Sequence, residues 1–308
     1  MTLRNANIVV TGGAGFIGSH LVDRLVETGD VRVVDDGSSG RREWVHDDAE
    51  FVDGDLTDPA VVADAVTTET NLVVHLAASK LVDTDTPRRQ FDDNSAMTYN
   101  LLERTDEVGV DRFVFTSSST VYGEAPRPTP EDYGPLEPIS VYGASKLAEE
   151  SLVSTYAHSH DLQSWVFRFA NIVGPRLRGA VVPDFVEKLR ADPTELTILG
   201  DGRQRKSYMH VSACVDAMLY AVENADDTHN VFNLGTRTTT SVDRIADIVA
   251  DEMDVDPDYA YTGGERGWTG DVPRMRLSVD KLAALGWEPA QSSDEAVRQT
   301  VRELLAES

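Results

Sequence analysis

The sequence predicts an α/β fold, a doubly wound parallel sheet followed by a smaller C-terminal α/β substrate domain. Three observations carry that expectation. Short runs rich in valine and isoleucine alternate with segments whose apolar residues recur at helical spacing. The runs are continuously apolar, as in strands covered on both faces. A glycine-rich turn joins the first run to the first helical segment.

Taken in order, residues 7–11 read as a buried strand. Phe16, Ile17, Leu21 and Leu25 set a helix over 15–27. Further strands are expected over 31–35, 50–55, 71–77 and 111–116, with helices over 58–65 and 92–108. Repeated strand–helix–strand units imply right-handed crossovers and helices on both faces. Later, 164–171 and 231–234 read as strands, 242–251 as a helix and 294–306 as an amphipathic helix. The stretch 173–207, with Pro175, Pro183, Pro193 and several glycines, is expected to be less regular. The domain expectation is 1–173 for the sheet, with later returns near 208–250, and 174–308 mostly for a substrate domain on the sheet's ligand edge.

A chain of 308 residues, 41% hydrophobic, is long enough for one large core or two joined ones. Its formal net charge of -25 opposes nucleic-acid backbones, so DNA and RNA are not expected as partners. Lys80, Lys146, Lys188, Lys206 and Lys281 are all its lysines. An acidic, lysine-poor surface fits a high-salt (halophilic) habitat, where screening removes self-repulsion; a merely acidic mesophile is the other reading. Cys214 is the single cysteine, so an intrachain disulfide is impossible and a cysteine metal site is not expected. No carboxylate/histidine spacing asks for a metal. No signal-peptide pattern opens the sequence and no apolar run is long enough to span a membrane. The expectation is a cytoplasmic protein with no membrane partner.

Thr11-Gly-Gly-Ala-Gly-Phe-Ile-Gly18 follows the first strand and opens the first helix. Gly13, Gly15 and Gly18 satisfy G-x-G-x-x-G; Gly12, Gly15 and Gly18 satisfy the wider spacing. Such glycines allow a tight turn and close approach of backbone to a pyrophosphate, which the helix N-terminus then holds. Asp35 ends the second strand, where a carboxylate accepts from an adenosine ribose and repels a 2'-phosphate. This is a Rossmann-type signature favouring NAD, although Arg41 and Arg42 lie just beyond and keep NADP open.

Tyr142 and Lys146 stand four residues apart, on one face if helical. An ammonium beside a phenol favours phenolate, a base able to take a proton from an alcohol. Phe115-Thr-Ser-Ser-Ser-Thr-Val-Tyr-Gly123 ends the fifth strand in hydroxyls, at the sheet edge where ligands bind. His75 reads as structural, and His210 as a satisfied polar group rather than a base.

These segments resemble the extended short-chain dehydrogenase/reductases, most of all the NAD-dependent nucleotide-sugar epimerases of the UDP-glucose 4-epimerase type. The likeness runs from Asn7 nearly to the C-terminus. It implies that Ser118, Tyr142 and Lys146 are catalytic. It implies NAD contacts at Gly12, Gly15, Phe16, Ile17, Gly18, Asp35, Asp36, Ser38, Gly40, Asp55 and Leu56, and at Leu76, Ala77, Ala78, Lys80 and Asn94. Related dehydratases and decarboxylases carry a carboxylate just before the Val-Tyr-Gly that follows the fifth strand; here Ser119 and Thr120 stand there, so elimination lacks its proton donor.

The resemblance also implies a nucleotide-sugar substrate, met by Asn171 at its diphosphate and by Val182, Pro183 and Phe185 at its base. Phosphate contacts are implied for Arg205 or Lys206, between which the sequence leaves the choice open. Arg266 and Asp271 match a late Arg…Gly-Asp element at longer than usual spacing. A homodimer is implied through helices near 92–108 and 141–160, where Ala144, Leu147, Leu152 and Val153 fit either an apolar interface or the core.

Overall fold

The computed structural model describes residues 3–80, 86–267 and 270–307. In chain order its strands and α-helices are β1 (Asn7–Thr11), α1 (Phe16–Leu25), β2 (Asp30–Asp35), β3 (Glu50–Asp53), α2 (Pro59–Ala65), β4 (Leu72–His75), α3 (Pro87–Val108), β5 (Arg112–Ser118), α4 (Val141–Ser159), β6 (Gln163–Phe169) and β7 (Asn171–Val173). They continue with α5 (Val181–Ala191), β8 (Glu195–Ile198), β9 (Arg205–Lys206), β10 (Tyr208–His210), α6 (Val211–Asn224), β11 (His229–Leu234), β12 (Thr240–Ser241), α7 (Val242–Met253), β13 (Asp258–Tyr261), β14 (Arg274–Met275), α8 (Asp280–Leu285) and α9 (Ser293–Ala306). The chain divides into two compact units.

The first unit comprises residues 1–121, 141–168 and 218–232. Its seven-stranded sheet runs β11-β6-β5-β4-β1-β2-β3. Pairing is parallel in β4–β5, β1–β4, β1–β2 and β2–β3. The order reverses between β1 and β4, and at such a switch point the strand ends open a crevice for ligands. The expected α/β, doubly wound sheet is therefore present. All four residues of β4 are buried, as the continuous apolar run implied. Val9, Val34, Val73, Phe113, Phe115 and Val166 fill the core between the sheet and its helices.

α3 starts at Pro87, five residues before the expected start. Proline at the first helical positions loses no bond, because those N–H groups have no intrahelical acceptor. Arg88–Asp92 and Arg89–Asp93 pairs then support the first turns. Gly109 closes α3 at φ 76°. In α4, Val153 is a core residue, whereas Ala144, Leu147 and Leu152 are half-buried.

The second unit comprises residues 122–140, 169–217 and 233–308. Here β7 pairs with β10 and β8 with β13, both parallel, and β9 lies between β12 and β14. Helices α5, α7 and α9 pack on one another. α9 opens on a reciprocal cap, with Ser292 accepting from Glu295 N–H while Glu295 accepts from Ser292 N–H. The stretch expected to be irregular holds α5 and β8. Pro183 sits in the first turn of α5, where its missing N–H breaks nothing.

Candidate active site

The cofactor motif builds itself around β1. Gly12 takes φ +69°, and a Cβ there would lie 2.6 Å from Ala77 N. A Cβ at Gly18 would lie 2.1 Å from Gly12 O, so the helix can sit this close to its loop only as glycine. Gly15 caps α1 without a side-chain bond, so the N–H groups of Phe16 and Ile17 point from the helix start with no intrahelical acceptor. That is a cradle for a pyrophosphate. Asp35 ends β2 buried, its Oδ2 accepting from Ala14 N–H (3.0 Å) and its Oδ1 from Gly37 N–H (2.9 Å). Each oxygen keeps a lone pair for a hydroxyl donor. Burial raises the Asp35 pKa, and the two N–H bonds oppose that rise. These groups fit an adenine dinucleotide.

The other expected cofactor residues lie on the loops that leave the carboxyl ends of the strands. Asp36 accepts from Ser38 N–H (2.9 Å), and the loop through Gly40 returns to Ala14, whose carbonyl accepts from Arg41 N–H (2.9 Å). Asp55 is exposed and caps Thr57 N–H, while Leu56 is buried. Leu76, Ala77 and Ala78 are half-buried beyond β4, and Lys80 is exposed where that loop passes into residues 81–85, outside the described set. Asn94, wholly buried on α3, spends its amide inside the protein. Its Oδ1 accepts from Ser79 N–H (2.7 Å), and its Nδ2 donates to Ser79 O and to Ser145 Oγ (both 3.0 Å).

Ser118 is the last residue of β5, half-buried, and its Oγ accepts from Thr120 N–H (3.2 Å). The buried Ser117 and Thr120 hydroxyls have no partner among the described residues. Tyr142 and Lys146 share a face of α4, which packs on β5 and α3. Lys146 is 1% exposed; its Nζ lies 4.6 Å from the centre of the Phe115 ring and 3.2 Å from Glu149 Oε2.

That last contact corrects a sequence expectation. Burial of the Tyr142 hydroxyl, and then the negative charge of Glu149, hold its pKa above the ordinary value of 10.0 rather than below it. A carboxylate already answers the ammonium expected to favour phenolate. Sequence reasoning missed Glu149, and it also missed the buried pair of Arg168 with Glu150 (2.7 Å). The signal for Glu149 was its place three residues after Lys146 and seven after Tyr142, both same-face spacings.

His75 is structural. Its Nδ1 bonds Thr11 Oγ1 (2.7 Å), its Nε2 bonds Thr98 Oγ1 (3.0 Å), and burial lowers its pKa well below 6.5. His210 is satisfied by Ser212 (2.7 Å) and Glu303 (2.8 Å).

The expected substrate residues lie in the second unit. Asn171 begins β7, and its Nδ2 is buried with no partner among the described residues, a donor available to an anionic oxygen. β9 sends its two side chains apart. Arg205 is exposed, whereas Lys206 pairs with the buried Asp271. Arg266 donates to Asp271 O and pairs with Glu124. Trp268 and Thr269 of that motif lie outside the described residues. Val182 and Phe185 are 0% and 2% exposed, turned into the packing of α5 beside the buried Pro183.

Among the described residues, no helix is long and apolar enough to cross a membrane. The family model for the NAD-dependent epimerase/dehydratase family matches residues 8–235. A UDP-glucose 4-epimerase of Mycolicibacterium smegmatis is 36% identical over 308 residues, covering 95% of this chain and 96% of that protein. UDP-glucuronic acid decarboxylase 2 of Arabidopsis thaliana is 34% identical over 308 residues, covering 94% of this chain and 66% of that one. The crystal structure of a UDP-glucose 4-epimerase from Thermotoga maritima with UDP-glucose superposes with a TM-score of 0.90 at 35% identity, covering 98% of this chain and 99% of that one.

Proposed function

Because the chain belongs to the NAD-dependent epimerase/dehydratase family, with NAD as its cofactor, we propose that it epimerises a nucleotide-sugar at C4, with UDP-glucose and UDP-galactose as the default pair. The observation that carries this reading is the end of β5, where hydroxyl side chains stand at Ser118, Ser119 and Thr120 and no carboxyl group does. Epimerisation needs a base and a hydride acceptor; loss of water needs a further acid. The decarboxylase likeness makes the reaction itself the point to test.

In this reading the glycine turn and the start of α1 hold the pyrophosphate, and Asp35 accepts from the adenosine ribose. NAD, held there, would supply a reversible hydride acceptor for C4 and a positive ring that favours ionisation of a neighbouring phenol. Tyr142 takes the proton from the C4 hydroxyl and gives it back once the ketone has turned over. Ser118 holds the same oxygen. Lys146 binds the nicotinamide ribose. Asn171, Lys206 and Arg266 meet the diphosphate. Since Tyr142 acts as phenolate, activity falls as pH drops below its pKa in the complex.

The experiment is incubation of the purified protein with UDP-galactose and catalytic NAD. Formation of UDP-glucose without net NADH supports the proposal. Release of carbon dioxide from UDP-glucuronate, or NADH accumulating in step with turnover, replaces it with a decarboxylase or a net oxidoreductase. We also propose a homodimer through the outer faces of α3 and α4, where Tyr99 and Val141 are exposed. Sedimentation equilibrium should give twice the 33.7 kDa chain mass; a monomer at micromolar concentration rejects it.

A further inference from the structure

A buried acid beside the Tyr142/Lys146 pair has no role in the reading above. Glu149 is 0% exposed. Its Oε2 accepts from Lys146 Nζ (3.2 Å) and from Thr98 Oγ1 (2.8 Å). Its Oε1 has no partner among the described residues. The nearby Ser145 hydroxyl proton goes to the Tyr142 carbonyl (2.9 Å).

The bond directions propagate from this carboxylate. Thr98 spends its proton on Glu149, so it must accept from His75 Nε2–H. That leaves His75 Nδ1 to accept from Thr11, whose Oγ1 accepts in turn from Ala77 N–H (3.4 Å). Neutral histidine suits this chain, and burial keeps His75 neutral. Among the described residues, the titratable groups set beside Glu149 are Lys146 and Tyr142 from its own helix, and His75 from β4 is linked to it through Thr98. α3 presents Thr98, and β5 presents the Phe115 ring, which lies against Lys146.

Burial raises the Glu149 pKa above the ordinary carboxylate value, and Lys146, Thr98 and Ser145 oppose that rise. Its state decides what Tyr142 experiences, because an ionised Glu149 offsets the ammonium and a neutral one does not.

We propose that Glu149 is a positioning residue that governs how readily Tyr142 gives up its proton, by holding Lys146 and offsetting its charge. This deepens the reading of Tyr142 as the base, and its test uses no sugar. Tyr142 is titrated through the near-ultraviolet absorption of tyrosinate in the NAD-loaded protein, from about pH 6 to about pH 11, with Tyr142→Phe as the blank. Glu149→Gln keeps the shape and removes the charge. Its Tyr142 midpoint should fall by about one pH unit or more. Glu149→Ala, compared with its own Tyr142→Phe blank, should shift the same way. Curves equal to the parent protein's, including no ionisation in either over the range, overturn the proposal. So does a shift in Glu149→Ala without one in Glu149→Gln, which marks a packing role. Absence of epimerase activity leaves this readout intact, so the two readings fail separately.

Discussion

At the scale of single residues, the proposed chemistry rests on a phenol whose surroundings, taken alone, hold its proton. Replacing Tyr142 with Phe removes that proton site and little packing. Turnover should fall about 10²- to 10⁴-fold while NAD binding and the thermal midpoint stay near the parent values. Steady-state rates with parallel cofactor titration check this, and retained turnover rejects Tyr142 as the base. Asp35 should decide between cofactors. Asp35→Asn loses the charge and keeps only one of the two oxygens that accept from Ala14 and Gly37 N–H. The preference for NAD over NADP should narrow by on the order of tenfold, equivalent to ~1.4 kcal/mol. Binding constants for both dinucleotides would show it, and an unchanged ratio rejects the role.

Elements owe their positions to caps and pairings that vary in how far they reach along the chain. α7 and α9 are joined by Glu252, which pairs with Arg298 (2.6 Å) and Arg302 (2.8 Å). The Arg302 bond is the first cause of a Glu252 pKa below the ordinary 4.5. A depressed carboxyl pKa stabilises the fold above the unfolded value, and that contribution disappears as pH falls through the folded one. Glu252→Gln should therefore cost no more than about 1 kcal/mol near neutrality. The difference from the parent should close as pH falls below 4.5 and through the folded value, as chemical unfolding curves at several pH values would show. Local pattern made β1, β2, β4, β5, α1 and α2 legible in the sequence, because each is a continuous apolar run or a helical repeat. It hid α5 behind Pro183 and hid the short strands β8, β9 and β12 to β14, whose partners are distant in sequence. At the candidate site, Tyr142, Lys146 and the glycine turn could be read from spacing. Glu149 shares their face by spacing, but a glutamate in a helix ordinarily faces water, and only packing against Thr98 shows it buried. Nor did spacing reveal that Lys206 and Asp271, 65 residues apart, meet.

The whole molecule carries a net charge of -25, with 28 basic residues against 53 acidic ones. Many arginines are already paired, among them Arg237 with Asp280 and Glu288, and Arg244 with Asp294. The excess acid repels itself. Raising potassium chloride from about 0.1 M to about 1 M shortens the screening length from roughly 10 Å to roughly 3 Å and should raise the melting temperature by several degrees. A midpoint that falls with salt would instead show that attractive pairs dominate. The pairs of Lys206 with Asp271 and of Arg266 with Glu124 place this imbalance where the proposed diphosphate would arrive. From far away such a molecule offers no electrostatic beacon to an approaching nucleotide. In the proposed reading, a diphosphate would have to displace a resident carboxylate, Asp271 or Glu124, from the cation it meets. Binding of that kind would proceed by exchange at the threshold instead of attraction from a distance.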